Sequence, residues 1–65
     1  MYVICTMATS RQNPTYGQVR KTLCRDGVFR EGGCDPYFFK KWKTRAGAER
    51  NAADFKKRDV WVDEI

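Results

Sequence analysis

The chain contains no histidine, so the side chain that most often transfers protons near neutral pH is missing. Lysine, arginine and tyrosine can replace it in small basic ribonucleases, and the candidates here are Tyr37, Lys40, Lys41 and Arg45. Spacing along a strand does not create the mutual geometry that such catalysis needs. We therefore expect a protein without enzymatic activity.

Cysteines and carboxylates are the other groups that could do chemistry. The three cysteines are Cys5, Cys24 and Cys34, and no C-x-x-C spacing occurs. A zinc site needs about four ligands, so we expect reduced thiols and no metal. The acidic residues near the end of the chain, Asp59, Asp63 and Glu64, are more typical of a solvated segment than of a cation site. No phosphate-loop or dinucleotide fingerprint is present, so we expect neither a cofactor nor a small-molecule substrate.

The charge balance is basic. Thirteen lysines and arginines oppose eight acidic residues, which gives a net charge of +5 and a pI near 9.4. This excess favours binding to polyanions through counterion release. A solvated basic surface without a nucleic-acid partner is the alternative.

The elements that must position these residues fit one domain over residues 1–65. Residues 2–8 are apolar on both alternating faces, which predicts a strand near the middle of a sheet. After a loop over residues 9–16, two β-like runs, 18–25 and 28–30, flank Asp26-Gly27, a pair that favours a type I′ hairpin turn. Residues 31–36 form a second loop.

The aromatic segment 37–43 predicts a further strand, and Thr44 can cap a helix over residues 45–56. Alternation would separate two sets along the strand, Phe38, Lys40 and Trp42 on one face and Tyr37, Phe39, Lys41 and Lys43 on the other. The apolar stripe of the helix is Ala48, Ala52 and Phe55. A last strand is predicted over residues 59–64.

The element order predicts an α+β fold, a small and mainly antiparallel sheet in the order β-β-β-β-α-β, with a short third strand and one helix packed on one face. The other face would be open to solvent. A right-handed crossover through the helix would place the last strand parallel to the aromatic strand, beside it or one position away.

The functional prediction is a small basic binding protein that contacts nucleic acid through an aromatic and lysine-rich sheet face. If Phe38 and Trp42 pack on the helix, the opposite rings and cations can stack bases and meet phosphates. The predicted nucleic-acid-binding residues are Arg11, Arg20, Tyr37, Phe39, Lys41 and Lys43. The alternative is a protein-interaction module, either a phage-type accessory or inhibitor protein or a homodimer, that uses the same aromatic face.

In element order, three strands followed by a helix, the chain resembles the arm-binding domains of phage-type integrases. Those domains are similar to plant AP2 domains, and the resemblance implies a sheet inserted into the major groove. The predicted strand 59–64 departs from that pattern. In size and composition the chain also resembles small accessory proteins of phages and prophages, many of which bind nucleic acid or block a host protein. No leader or apolar span is recognisable, so we expect a cytoplasmic protein with no membrane partner.

Overall fold

The computed structural model describes residues 1–10, 13, 15, 17–31, 36–55 and 59–65. Within these residues, four strands and one α-helix follow one another, namely β1 (Tyr2–Thr9), β2 (Gln18–Leu23), β3 (Phe29–Glu31), α1 (Arg45–Ala52) and β4 (Val60–Glu64). The strands form one antiparallel sheet in the order β3-β2-β1-β4. The predicted α+β class, the short third strand and the interior position of β1 are confirmed.

Alternation along the strands divides the sheet into two faces. Tyr2, Ile4 and Thr6 lie on the helix face, because the Arg45 guanidinium carbon at the start of α1 lies 5.2 Å from the centre of the Tyr2 ring. Val3 and Cys5 lie on the opposite face, which we call the far face. The core draws on both faces, and its fully or nearly fully buried apolar residues are Val3, Ile4, Cys5, Leu23, Cys24 and Ala48.

The β2–β3 hairpin forms as predicted, but its turn is not type I′. Gly27 has a φ of 84°, whereas no described residue other than glycine has a positive φ. The Gly27 N–H donates to Cys24 O at 2.9 Å, and the Cys24 N–H donates to Val28 O at 2.9 Å. The loop is therefore a three-residue turn with glycine in the left-handed position. Asp26 keeps a negative φ, and its carboxylate accepts from the Val28 N–H at 3.2 Å.

The aromatic segment does not form the predicted strand. Pro36–Phe38 is a single 3₁₀ turn, and beyond it only isolated bridges join Phe39 to Cys24 and Trp42 to Tyr2. Both bridges are antiparallel, but β1 and β2 run in opposite directions. The chain must therefore reverse between Phe39 and Trp42, which excludes one continuous strand despite the favourable composition.

Helix α1 begins where the sequence predicts. The Thr44 hydroxyl accepts from the Gly47 N–H at 3.1 Å, which satisfies one of the unpaired donors of the first turn. A Cβ on Gly47 would lie 3.1 Å from Thr44 Oγ1 and 3.6 Å from the Trp42 ring, so the glycine allows a close approach. The helix ends at Ala52, earlier than predicted, because Asp54 and Phe55 bond three residues back.

The last strand is antiparallel to β1 at the edge of the sheet, and Trp42 is antiparallel to Tyr2 of the same strand. At Trp42 the last strand therefore runs parallel to the aromatic segment, one position away, as predicted. At Phe39 the segment runs in the opposite direction, so the parallel arrangement does not extend along the whole aromatic segment. The condition that Phe38 packs on the helix is not met, because Phe38 is 55% exposed. Phe55 instead contacts Phe29 edge to face, with ring centres 5.3 Å apart.

Within the described residues, no helix has the length and apolar character needed to cross a membrane.

Candidate nucleic-acid interface

Three of the predicted binding residues lie together at one end of the sheet. Tyr37, Phe39 and Lys41 line a shallow pocket of about 330 Å³ with two residues that the prediction did not include, Arg25 and Lys40. We call these five residues the basic pocket. Among the described residues, its lining consists of three cations and two aromatic rings and includes no carboxylate.

Backbone hydrogen bonds attach the aromatic segment to the end of β2. The Arg25 N–H donates to Phe38 O at 2.9 Å, and the Lys40 N–H donates to Leu23 O at 3.0 Å. These bonds hold the main chain on either side of Phe39, and the Tyr37 and Phe38 side chains face solvent, with Tyr37 66% exposed. The pocket is thus built on fixed backbone rather than on a free loop.

Cations lie against aromatic rings at this end of the molecule. The Arg25 guanidinium carbon lies 5.4 Å from the centre of the Tyr37 ring, and Lys40 Nζ lies 5.6 Å from the Trp42 ring. Arg45 against Tyr2 is the third such contact. We call these six residues, together with the basic pocket, the basic aromatic end. Each contact holds a positive charge beside a π-face, within the roughly 6 Å limit for such attraction.

The set of binding residues predicted from the sequence does not include Arg25 and Lys40, for two different reasons. Arg25 is the last residue of the predicted run 18–25, and nothing local indicates that the chain later returns to it through Phe38. Alternation along a continuous strand predicts that Lys40 lies on the face opposite Tyr37 and Phe39. The reversal between Phe39 and Trp42 removes that alternation and places Lys40 and Lys41 in the same pocket.

The carboxylate of Asp26, which directly follows the pocket residue Arg25 along the chain, is already paired. Asp26 accepts two hydrogen bonds from Arg30, at 2.7 and 2.6 Å. This hydrogen bonding lowers the pKa of Asp26 to about 2 and raises the pKa of Arg30. The turn beside Arg25 therefore carries little net charge near neutral pH, and Asp26 subtracts little from the positive potential of the pocket.

Arg20 lies away from the basic pocket. Arg20 precedes Cys24 by four residues along β2 and its end, which corresponds to about 13 Å between the two residues at the rise of an extended chain. Its guanidinium lies 3.7 Å from Asp63 Oδ2 on β4. Lys43 is exposed just after Trp42 and is not part of the pocket lining. Arg11 and Cys34 lie outside the described residues.

The Arg20–Asp63 ion pair crosses the far face of the sheet. Arg20 is in register with Met7, and Asp63 is in register with Val3, so Cys5 lies midway beneath the pair. The Trp61 indole N–H donates to the same carboxylate oxygen at 2.9 Å. The prediction that this face is open to solvent therefore fails at its middle, where Cys5 is 1% exposed. Burial raises the pKa of the Cys5 thiol.

Among the described residues, no group of three or more cysteines and carboxylates is arranged to hold a metal ion. No protein-family model, curated protein or solved structure matches the chain.

Proposed function

We propose that this protein binds single-stranded nucleic acid at its basic aromatic end. The observation that carries the proposal is the lining of the basic pocket, where the residues that the structure describes are three cations and two aromatic rings, with no carboxylate among them. A net charge of +5 adds a favourable long-range field. The expectation that Tyr37, Phe39, Lys41 and Lys43 contact nucleic acid is kept, and Arg25 and Lys40 are added.

Phosphates are the natural partners of the pocket cations. Lys40 and Lys41 are exposed, so each can approach a phosphate without losing a described ion pair. Arg25 is exposed as well, and its guanidinium can contact a phosphate while it remains beside the Tyr37 ring. Neutralising about three phosphates on a single strand gives a salt slope near −2 in log–log form.

Bases are the natural partners of the exposed rings. Tyr37 and Phe38 contact each other edge to face, with ring centres 5.6 Å apart, and both are more than half exposed. A base can stack on such a ring only if it has left its own duplex stack. This requirement favours single strands over duplexes, and it predicts weak dependence on sequence because every base has a π-face.

The test is a titration of fluorescent single-stranded and duplex oligonucleotides over a range of salt concentrations. We expect the single strand to bind more tightly, with affinity that falls linearly in log salt. Tyr37→Ala should weaken single-strand binding by about fivefold to about a hundredfold, the equivalent of one lost stacked base. Lys41→Glu should weaken binding and make the salt slope shallower.

Arg50→Glu is the matched control, because Arg50 is an exposed cation in the last turn of α1 and does not line the pocket. It changes net charge by the same amount as Lys41→Glu. Equal losses in the two variants would mean that total charge, rather than the basic pocket, determines affinity. Absence of binding at low salt would refute the proposal.

The protein-interaction module remains the second proposal, and the exposed Tyr37 and Phe38 rings favour it. Aromatic residues are common anchors in protein interfaces. In that case Tyr37→Ala would weaken a protein complex or a homodimer, the complex would depend little on salt, and the oligonucleotides would not bind.

A further inference from the structure

The outer edge of β4 is the second notable surface, and it is independent of the basic pocket. β4 lies at the end of the strand order, and its inner neighbour is β1. The Ile65 N–H donates to Met1 O at 2.8 Å, which fixes the phase of the ladder. Trp61 and Asp63 therefore bond to β1, while the backbone N–H and C=O groups of Val60, Val62 and Glu64 point outward.

Those outward groups have no hydrogen-bond partner within the part of the chain that the structure describes. Edge strands are commonly protected by a bulge, a proline or an inward charge. Val60-Trp61-Val62 has none of these and is composed of strong strand formers. The charges of this strand are confined to its last two positions, Asp63 and Glu64.

We propose that a second copy of this chain pairs with β4 in antiparallel fashion, so that two sheets join edge to edge about a two-fold axis at Val62. In this register Val62 faces its own copy and Val60 faces Glu64 of the partner subunit, so every outward residue meets another outward residue. Each such pair exchanges both backbone hydrogen bonds.

Side chains favour this register over one centred on Glu64. Trp61 lies opposite the partner's Asp63, the same residue type to which its indole N–H already donates within the chain at 2.9 Å. An axis centred on Glu64 would instead place two glutamates directly opposite each other, which is unfavourable. The interface is narrow, so the dimer forms reversibly and its population rises with protein concentration.

Hydrogen exchange of individual amides tests the pairing directly, with mass measured by light scattering over a concentration series. We expect a dimer at high concentration, in which the Val60, Val62 and Glu64 amides exchange more than about tenfold more slowly than at low concentration. The Trp61 and Asp63 amides should change little, because they bond to β1 at every concentration.

Val62→Pro removes an outward N–H without removing a bond to β1, so it should prevent dimerisation while far-ultraviolet circular dichroism stays unchanged. Val62→Thr keeps the N–H and the branched shape, and it should remain dimeric. If the proline variant fails to fold, the amide measurements on the unmodified chain decide. A monomer at all concentrations, or a dimer whose outward amides exchange at the monomer rate, would overturn the proposal. Neither result bears on the oligonucleotide titration.

Discussion

The guanidinium of Arg20 on β2 lies 3.7 Å from the carboxylate of Asp63 on β4, and the intervening strand β1 places Cys5 beneath them. Both charged side chains remain substantially exposed, so the pair contributes about 0–1 kcal/mol to stability. Its clearer effect is to cover a thiol. The main effect of this surface ion pair is therefore to shield Cys5, in the middle of the sheet, from solvent.

Removing the Arg20–Asp63 ion pair should make Cys5 more reactive. In a Cys34→Ser background, the native protein should react slowly with a thiol reagent at both Cys5 and Cys24, because both are buried. Arg20→Ala should accelerate labelling at Cys5 by roughly tenfold. Cys24 is the internal control, and mass spectrometry of the labelled peptides separates the two sites. Equal acceleration at both would indicate general destabilisation instead.

Arg20 also provides a test of where nucleic acid binds. Because its guanidinium is engaged with Asp63 and lies about 13 Å along the strand from the pocket, Arg20→Gln should change oligonucleotide affinity less than Lys41→Gln. The two variants lose the same charge. Fluorescence anisotropy at one low salt concentration compares them. A larger loss for Arg20→Gln would move the binding surface to the far face.

Asp26 should contribute to stability in a defined acid window. Its pKa in the folded protein is about 2, below the unfolded value near 3.9, so its ion pair with Arg30 stabilises the fold above about pH 4. That contribution should disappear as pH falls through about 2. Urea unfolding of the native protein and Asp26→Asn at several pH values isolates the effect, since the difference between them should shrink on acidification. A constant difference would contradict it.

Gly47 and Thr44 should be energetically coupled. Thr44→Ala should cost about 1 kcal/mol, because the first turn loses its cap. Gly47→Ala, which usually stabilises a helix by about 1 kcal/mol, should gain less here because its Cβ would meet the Thr44 hydroxyl at 3.1 Å. In the Thr44→Ala background the full gain should return. Denaturant unfolding of all four proteins measures the coupling, and strict additivity would rule it out.

Local patterns were sufficient for the parts of the fold that local interactions determine. The apolar run of β1, the hairpin around Asp26 and Gly27, and the Thr44 cap each depend on residues close in sequence, and each was predicted. The turn type failed at Asp26 because its carboxylate binds Val28 and Arg30, which favours a different backbone conformation.

The aromatic segment shows where local reasoning ends. Its composition suits a strand, but its backbone partners are Leu23, Arg25 and Tyr2, on two strands that run in opposite directions. No pattern within residues 37–43 carries that information. The same limit applies to the candidate site, where Arg25 meets Tyr37 and Arg20 meets Asp63 only because distant segments are brought into register.

The pairing of β1 with β4 has a consequence for how quickly the chain can reach its native state. Cys5 and Trp61 are neighbours in the sheet although almost the entire chain separates them. Bringing them together costs the conformational entropy of closing a long loop, and this cost arises before the hydrogen bonds between β1 and β4 can stabilise the pairing. We therefore expect folding on the millisecond scale or slower, rather than the microsecond scale of helical proteins of similar size. Until β4 pairs, β1 can form backbone hydrogen bonds only with β2, and its other edge stays exposed to solvent.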